Sequence, residues 1–489
     1  MIKEYRRLFI DGRWVEGQTG RVEPVINPAT EDAIGVAPAG SVGDTVRAID
    51  AARRAFDDGP WPHMSPADRG AVLVRMAELM EKRHAELVDL NIAETGCTRI
   101  GAETFQTAIP IAHFRDMAER VLPSFPFETP LRPHVGNGIG QGVVLREPIG
   151  VAALVSASNF PLYLNLMKLG PALAAGCTTI LKPAPSTPLE AFVLGEIAEE
   201  AGLPGGVLNI VTGDVDAAAE LTANPQVDVV SFTGSDVVGR RVFEQAAPTL
   251  KKVILELGGK SANIVCDDAD LTRVVPGVVR DTILHAGQGC AFLTRTLVHR
   301  SRHDELVELV TAALAAVKVG DPAEPDTSMG PLATAAQREH VERLIATGVA
   351  EGATIAIGGG RPAGLATGYF VEPTLFVGVD NSMTIARREF FGPVMIIMPF
   401  DDDDEAVRIA NDSDYGLAGG VWARDPVRAY RIGKRMQAGY VTVNGGGGGM
   451  NPDGPFGGYK RSGLGRERGA AGLDEFLQQK TMIWGVAGG

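Results

Sequence analysis

The stretch VDVVSFTGSDVVGRRVFEQ, Val227 to Gln245, reads as a β-branched strand that stops at Thr233-Gly234 and passes directly into a helix. Upstream, VVLREPIGVAALVSA (Val143 to Ala157), CTTILKPA (Cys177 to Ala184) and GVLNIVTG (Gly206 to Gly213) are further strand candidates, with a helical pattern from Pro188 to Ala201 between the last two. Strands alternating with helices imply a parallel sheet with crossover helices, hence an α/β fold. A second strand–helix series follows Gly258. Before all of this, Leu8 to Pro28 looks β-rich. Ser65-Pro66 then offers a helix cap followed by proline at the first helical position. Val72, Met76, Leu79, Met80 and Leu87 continue at helical spacing, predicting one helix that ends near Gly96.

A chain of 489 residues exceeds one hydrophobic core, so two or three domains are expected. With 46 basic and 60 acidic residues the formal charge is −14, which argues against nucleic acid or an anionic membrane as the main partner. No stretch reads as a membrane span: Leu164 to Leu181 is interrupted by Lys168, Gly170, Pro171 and Gly176. The N-terminus lacks an apolar signal region. Cys97, Cys177, Cys266 and Cys290 form no CxxC pair and no histidine sits at ligand spacing from them, so reduced thiols in a cytoplasm, and no metal, are expected.

Two glycine-rich stretches carry different readings. GNGIGQG, Gly136 to Gly142, precedes a strand rather than a helix, so it is read as a hairpin turn and not as a dinucleotide fingerprint. Gly445 to Gly449 is either a flexible loop or a place where backbone approaches a ligand. DDDDE, Asp401 to Glu405, suits the start of a helix and is assigned no chemistry.

Three residues invite a chemical reading. Cys290, between Gly289 and Ala291, is a sterically open thiol able to act as nucleophile, or a small buried hydrophobe. Glu256 in LELGGK ends a β-like run, where its carboxylate could activate water or simply pair with a cation. Asn159 in SNFP follows a strand and precedes Pro161. Its amide could donate to an oxyanion, cap the helix, or do both.

The order of motifs resembles the aldehyde dehydrogenase superfamily over nearly the whole chain: SNFP with Asn159, LKPA with Lys182, FTGS from Phe232 to Ser235, LELGGK with Glu256, GQGC with Cys290, EFFGPV with Glu389 and Phe391, and PFGGYKRSGLGRE from Pro455 to Glu467. The resemblance implies that Cys290 attacks an aldehyde, that Asn159 and the Cys290 N–H hold the alkoxide, that hydride passes to a nicotinamide, and that Glu256 activates water to hydrolyse the thioester. It places Lys168 and Glu467 along a proton path. For the cofactor, NAD with NADP tolerated, it implicates Ser156, Lys182, Gly234, Ser235, Leu257, Gln337, Glu389 and Phe391. It implies a doubly wound cofactor domain (residues 1–125 and 147–257), an α/β catalytic domain (258–461) and a small β oligomerisation arm (126–146 and 470–489), in a homodimer or homotetramer. A CoA-acylating relative, an esterase using the same thiol, and a non-catalytic structural protein on the same fold are the rival readings.

Phe160, Tyr163, Leu164 and Met167 share one helical face, and the resemblance sets them beside a substrate tunnel with Met450 and Phe456 opposite. No Arg or Lys stands out as an anchor for a substrate carboxylate, so uncharged hydrophobic or aromatic aldehydes are expected. Many family members carry Glu three residues after the KPA lysine, where this chain has Pro185. The usual device against NADP is therefore missing, and modest preference for NAD is expected.

Overall fold

The computed structural model describes residues 3–136, 138–447 and 450–485. Asn137 of the hairpin, Gly448 and Gly449 of the glycine run, and the last four residues of the proposed arm lie outside them.

An eight-stranded sheet holds the segment that opened the sequence reading. Its five parallel strands are β1 (Val151–Val155), β2 (Thr178–Lys182), β3 (Leu208–Ile210), β4 (Val229–Thr233) and β5 (Lys252–Glu256). Their spatial order is β5-β4-β1-β2-β3, so the winding reverses between β1 and β4. A crevice outside the carboxyl ends opens where winding reverses, and ligands of doubly wound sheets bind there. The N-terminal hairpin, Arg7–Ile10 with Arg13–Glu16, extends the β3 edge antiparallel, and Gly463–Leu464 extends the β5 edge. All residues of β2 and β4 are buried, as expected for parallel strands covered on both faces.

Helix α1 (Pro161–Ala175) leaves β1 and lies almost wholly buried under the sheet, ending at Gly176 in the left-handed conformation. Helix α2 (Leu189–Glu200) follows β2, and α3 (Asp236–Ala246) follows β4. Ser235 caps α3 by accepting from the Val238 N–H.

The second series forms a seven-stranded sheet in the order Thr354–Ile357, Thr374–Val377, Val394–Phe400, Arg295–His299, Ala262–Val265, Ala418–Trp422 and Tyr440–Val443. All neighbours run parallel except the first pair. Separate apolar clusters cover its two faces. A third, four-stranded sheet pairs Leu477–Gly485 with Ile139–Pro148, flanked by Glu128–Pro130 and His134–Val135. The GNGIGQG stretch is a hairpin connection, as its following strand demanded. Ile139–Pro148 reaches two residues past position 146 before Gly150 turns the chain into β1.

Two local readings need amendment. The helix expected from Pro66 to Gly96 is two, Pro66–Lys82 and His84–Thr95, because Arg83 leaves helical geometry (φ −97°, ψ 15°). Ser65 does cap the first of them. Asp402 caps the acidic helix Asp403–Asn411 by accepting from Glu405. Asn159, however, caps nothing. Phe160 holds the cap position of α1 without a side-chain bond, and the Leu162 N–H donates instead to Glu190 at 3.2 Å.

Candidate active site

The carboxyl ends of β1, β4 and β5 deliver Ser156, Gly234 and Glu256 to one crevice. Strand register enforces this, since β1, β4 and β5 pair in parallel with Thr233 opposite Glu256. The Gly234 N–H donates to the Glu256 carbonyl at 3.1 Å. After Glu256 the chain must pass the loop that bears Cys290. A side chain at Gly259 would meet the Cys290 carbonyl at 2.6 Å, so only glycine admits this approach.

The Cys290 loop is itself strained. His285, Ala286 and Gly287 all have positive φ (48°, 49° and 72°), a rare run for two residues bearing Cβ. A Cβ at Gly287 would lie 2.1 Å from the Gly392 carbonyl, so the loop is pressed against the segment carrying Glu389 and Phe391. Phe391 is also left-handed (φ 51°). Gln337 fixes that segment by donating to the Phe391 and Phe390 carbonyls at 2.7 and 3.1 Å. Glu389 accepts from the Gly259 N–H at 3.1 Å.

Cys290 keeps part of its surface accessible although protein crowds the sulfur. Burial pushes its thiol up to about 12, and the carboxylates of Glu389 and Glu256 push the same way. Glu256 is 2% exposed, and neither carboxylate oxygen has a partner among the described residues. Burial first, then the neighbouring Glu467, hold its carboxyl well above the usual range, with Lys168 opposing. Lys168 and Glu467 form a buried ion pair at 2.7 Å, and Lys168 also donates to Ser231 at 3.0 Å. Glu467 arrives from a distant loop whose ends are clamped by a mutual backbone pair with Phe456.

The Asn159 amide nitrogen donates to the Gln288 carbonyl at 2.8 Å, while its own carbonyl accepts from nothing among the described residues. A primary amide has two N–H groups. The bond to Gln288 holds the amide while the second N–H stays available.

The cofactor candidates follow the sheet. Lys182 ends β2, 4% exposed, and burial lowers its ammonium to about 8 with Asp214 partly opposing. Leu257 is buried against Gly239 of α3, and Ser235 starts that helix at the surface. The Thr233 hydroxyl is buried without a partner among the described residues at the same crevice. A helix N-terminus, a cationic side chain and an orphaned hydroxyl at the winding reversal fit a dinucleotide.

Phe160, Tyr163 and Leu164 form one apolar cluster, joined by Met167 and Met450 as expected and also by Phe105, Ile109, Ala157 and Phe292. The last four were missed because they come from other elements and show no periodic signal with α1. Phe292, two residues after Cys290, was the most findable. Phe456 stands apart from this cluster, its ring beside Tyr440 and against Arg468. Arg468, a cation the sequence reading did not name, lies beside the same residues: its guanidinium is 5.8 Å from the Tyr163 ring centroid. His285, whose ring packs against Phe160 at 5.5 Å, was missed as well. Burial lowers its imidazole to about 4. Of the glycine run, Gly445, Gly446 and Gly447 are described and all have positive φ.

A family model described as "Aldehyde dehydrogenase family" matches residues 14–482. The chain belongs to the aldehyde dehydrogenase family. It is 44% identical over 490 residues to the 3-succinoylsemialdehyde-pyridine dehydrogenase of a Pseudomonas species, covering 99% of each chain. Among solved structures, the Mycobacterium tuberculosis aldehyde dehydrogenase complexed with NAD+ superposes with a TM-score of 0.95 at 43% identity, covering 98% of both chains. A mutant of Pseudomonas syringae aldehyde dehydrogenase C, complexed with NAD+ and octanal, gives 0.93 at 40% identity, covering 98% of this chain and 96% of the other. The aldehyde dehydrogenase fold expected from the motif order is thus the observed one. No helix among the described residues is long and apolar enough to cross a membrane.

Proposed function

We propose that this enzyme oxidises an uncharged, hydrophobic or aromatic aldehyde to its acid with NAD, through a thioester on Cys290. The convergence of Cys290, Glu256 and Asn159 beside the Lys168–Glu467 pair carries the reading. A thiol pushed up to about 12 does not ionise alone at neutral pH, so a neighbour must take its proton. Glu389 and Glu256 both act on the thiol, but Glu389 is held by the Gly259 N–H whereas both oxygens of Glu256 are without a partner among the described residues, and a raised carboxyl is a stronger base once ionised. The thiolate bonds to the aldehyde carbon, and the new alkoxide accepts from the free Asn159 N–H and the Cys290 N–H. NAD, when bound, supplies the hydride acceptor. Ser156, Lys182, Gly234, Ser235, Leu257, Gln337, Glu389 and Phe391 would hold it. Glu256 passes the thiol proton on toward the Lys168–Glu467 pair and, ionised again, takes a proton from water. The water oxygen bonds to the thioester carbon, the C–S bond breaks, and the acid leaves while Cys290 departs as a thiolate.

The apolar cluster around Tyr163 supports an apolar substrate body. So does the octanal bound by the Pseudomonas syringae relative. NADH formation with octanal, benzaldehyde, succinic semialdehyde and betaine aldehyde tests it. The first two should lead in kcat/KM, and leadership by either charged aldehyde would defeat the assignment.

The division into residues 1–125 with 147–257, 258–461, and 126–146 with 470–489 forms part of the same proposal. So does a homodimer or homotetramer, supported by the exposed Ile483 and Trp484 on the outer strand of the small sheet. Reliance on a reduced Cys290 supports a cytoplasmic location.

A further inference from the structure

Arg468 is 6% exposed, yet its Nε and Nη1 have no hydrogen-bond partner among the described residues. Two donor nitrogens of a buried guanidinium left without an acceptor are costly. The nearby acidic groups give them no hydrogen bond, although Glu256 feels the Arg468 charge. Asp116 and Asp453 are both engaged by Arg120, each at 2.6 Å, and Glu467 faces Lys168. The backbone of Arg468 adds to the cost, since φ 72° and ψ 153° is a region kept almost wholly to glycine. The chain therefore bears two penalties to hold this guanidinium where it is.

Its position has a use. The guanidinium lies 4.5 Å from the Phe456 ring centroid and 5.8 Å from that of Tyr163. Arg468 also lies against the Tyr163 hydroxyl, opposing the rise that burial imposes on it, while its Nε and Nη1 keep no acceptor among the described residues. Arg468 lines an open cleft together with His113, Met117, Tyr163, Met167 and Pro452. Tyr163 and Met167 are shared between this cleft and the apolar cluster beside Asn159. From Phe160 to Met167 the helix advances about 10 Å. A substrate with its carbonyl at Cys290 and an extended body would place its far end in the cleft.

We propose that Arg468 is a specificity residue that binds a neutral carbonyl oxygen, such as a ketone's, at the end of the substrate remote from the aldehyde. The preferred substrates are then ω-functionalised: an apolar body joined to a terminal acceptor. This rests on the tunnel reading above and refines it. A short semialdehyde is still disfavoured, because its carboxylate would stop within the apolar section.

The test compares octanal, 7-oxooctanal and 8-oxooctanoate in the wild type, Arg468→Met and Arg468→Lys. In the wild type 7-oxooctanal should exceed octanal by about tenfold to a hundredfold in kcat/KM, mostly through KM. That ratio should fall to about one in Arg468→Met. A gain confined to 8-oxooctanoate means a carboxylate partner and overturns the proposal. A gain with 7-oxooctanal that Arg468→Lys loses identifies a neutral carbonyl held by the planar guanidinium. An unchanged ratio in Arg468→Met, an equal loss on all three substrates, or no wild-type preference overturns the proposal. Failure of the wild type to oxidise any of the three would instead defeat the tunnel reading. If Arg468→Met does not fold, the ratio in Arg468→Lys decides.

Discussion

At the scale of single residues, the site combines a reluctant thiol with reluctant carboxyls. Removing the second N–H of Asn159 by Asn159→Ala should cost about 100- to 1000-fold in kcat, with KM little changed. Glu467→Gln tests the electrostatics. Glu467 helps raise Glu256 and Lys168 opposes it, so removing that charge and leaving Lys168 unpaired should lower the Glu256 carboxyl. The acid limb of kcat/KM against pH should therefore move to lower pH, while the rate at the plateau falls. A limb moving upward would contradict the assigned neighbours. Pro185, exposed in the turn after β2, stands where a carboxylate would repel a 2′-phosphate. The enzyme should favour NAD over NADP by about tenfold to a hundredfold, and Pro185→Glu should widen that gap through loss of NADP activity. Equal NADP kinetics in wild type and variant would show that another residue reads the ribose. Cys290, Glu256 and Asn159 were legible in the sequence because glycine, proline and strand ends frame them. Arg468 was not: its lack of partners depends on Arg120 engaging Asp116 and Asp453, and no local pattern records that.

At the scale of elements, α1 is the part that fixes the geometry. It starts two residues after Asn159, carries Lys168 and shapes the tunnel. The Leu162 N–H at its start donates to Glu190 from α2, and Glu190 is buried close to Glu94. Burial raises both carboxyls, Glu190 to about 8, and the proximity of Glu190 raises Glu94 further. Between the ordinary carboxyl range and that value, the folded chain keeps protons that the unfolded chain has lost. These groups must therefore weaken the fold as pH rises from about 4.5 to about 8. In Glu94→Gln/Glu190→Gln the drop in Tm between pH 5 and pH 8 should shrink, because a glutamine amide accepts the same bonds without ionising. A drop as large as in the wild type would mean that the pair is ionised in the fold. Element types were largely legible from strand–helix alternation. The break at Arg83 was not, since the apolar spacing continues across it and only the backbone departs.

At the scale of the whole molecule, two sheets face each other across the Cys290 loop, and a third projects the strand Leu477–Gly485 outward. That outer strand leaves one edge unpaired and exposes Met482, Ile483 and Trp484, the kind of edge proteins cover. Ile483→Lys/Trp484→Lys should shift the sedimentation mass toward one chain, 51.5 kDa. Wild-type mass unchanged by these substitutions would move the interface elsewhere. The central claim concerns the chemistry between the two larger sheets: Cys290 is acylated and Glu256 is needed to release the acyl group. Intact-protein mass spectrometry of Glu256→Gln, mixed with NAD and octanal, tests it directly. The account predicts a single adduct on Cys290 with the mass of octanal less two hydrogens, forming more slowly than in the wild type because Glu256 also takes the thiol proton, and persisting while NADH stops at about one equivalent per site. Steady turnover at the wild-type rate, or an adduct absent from Cys290, would contradict it.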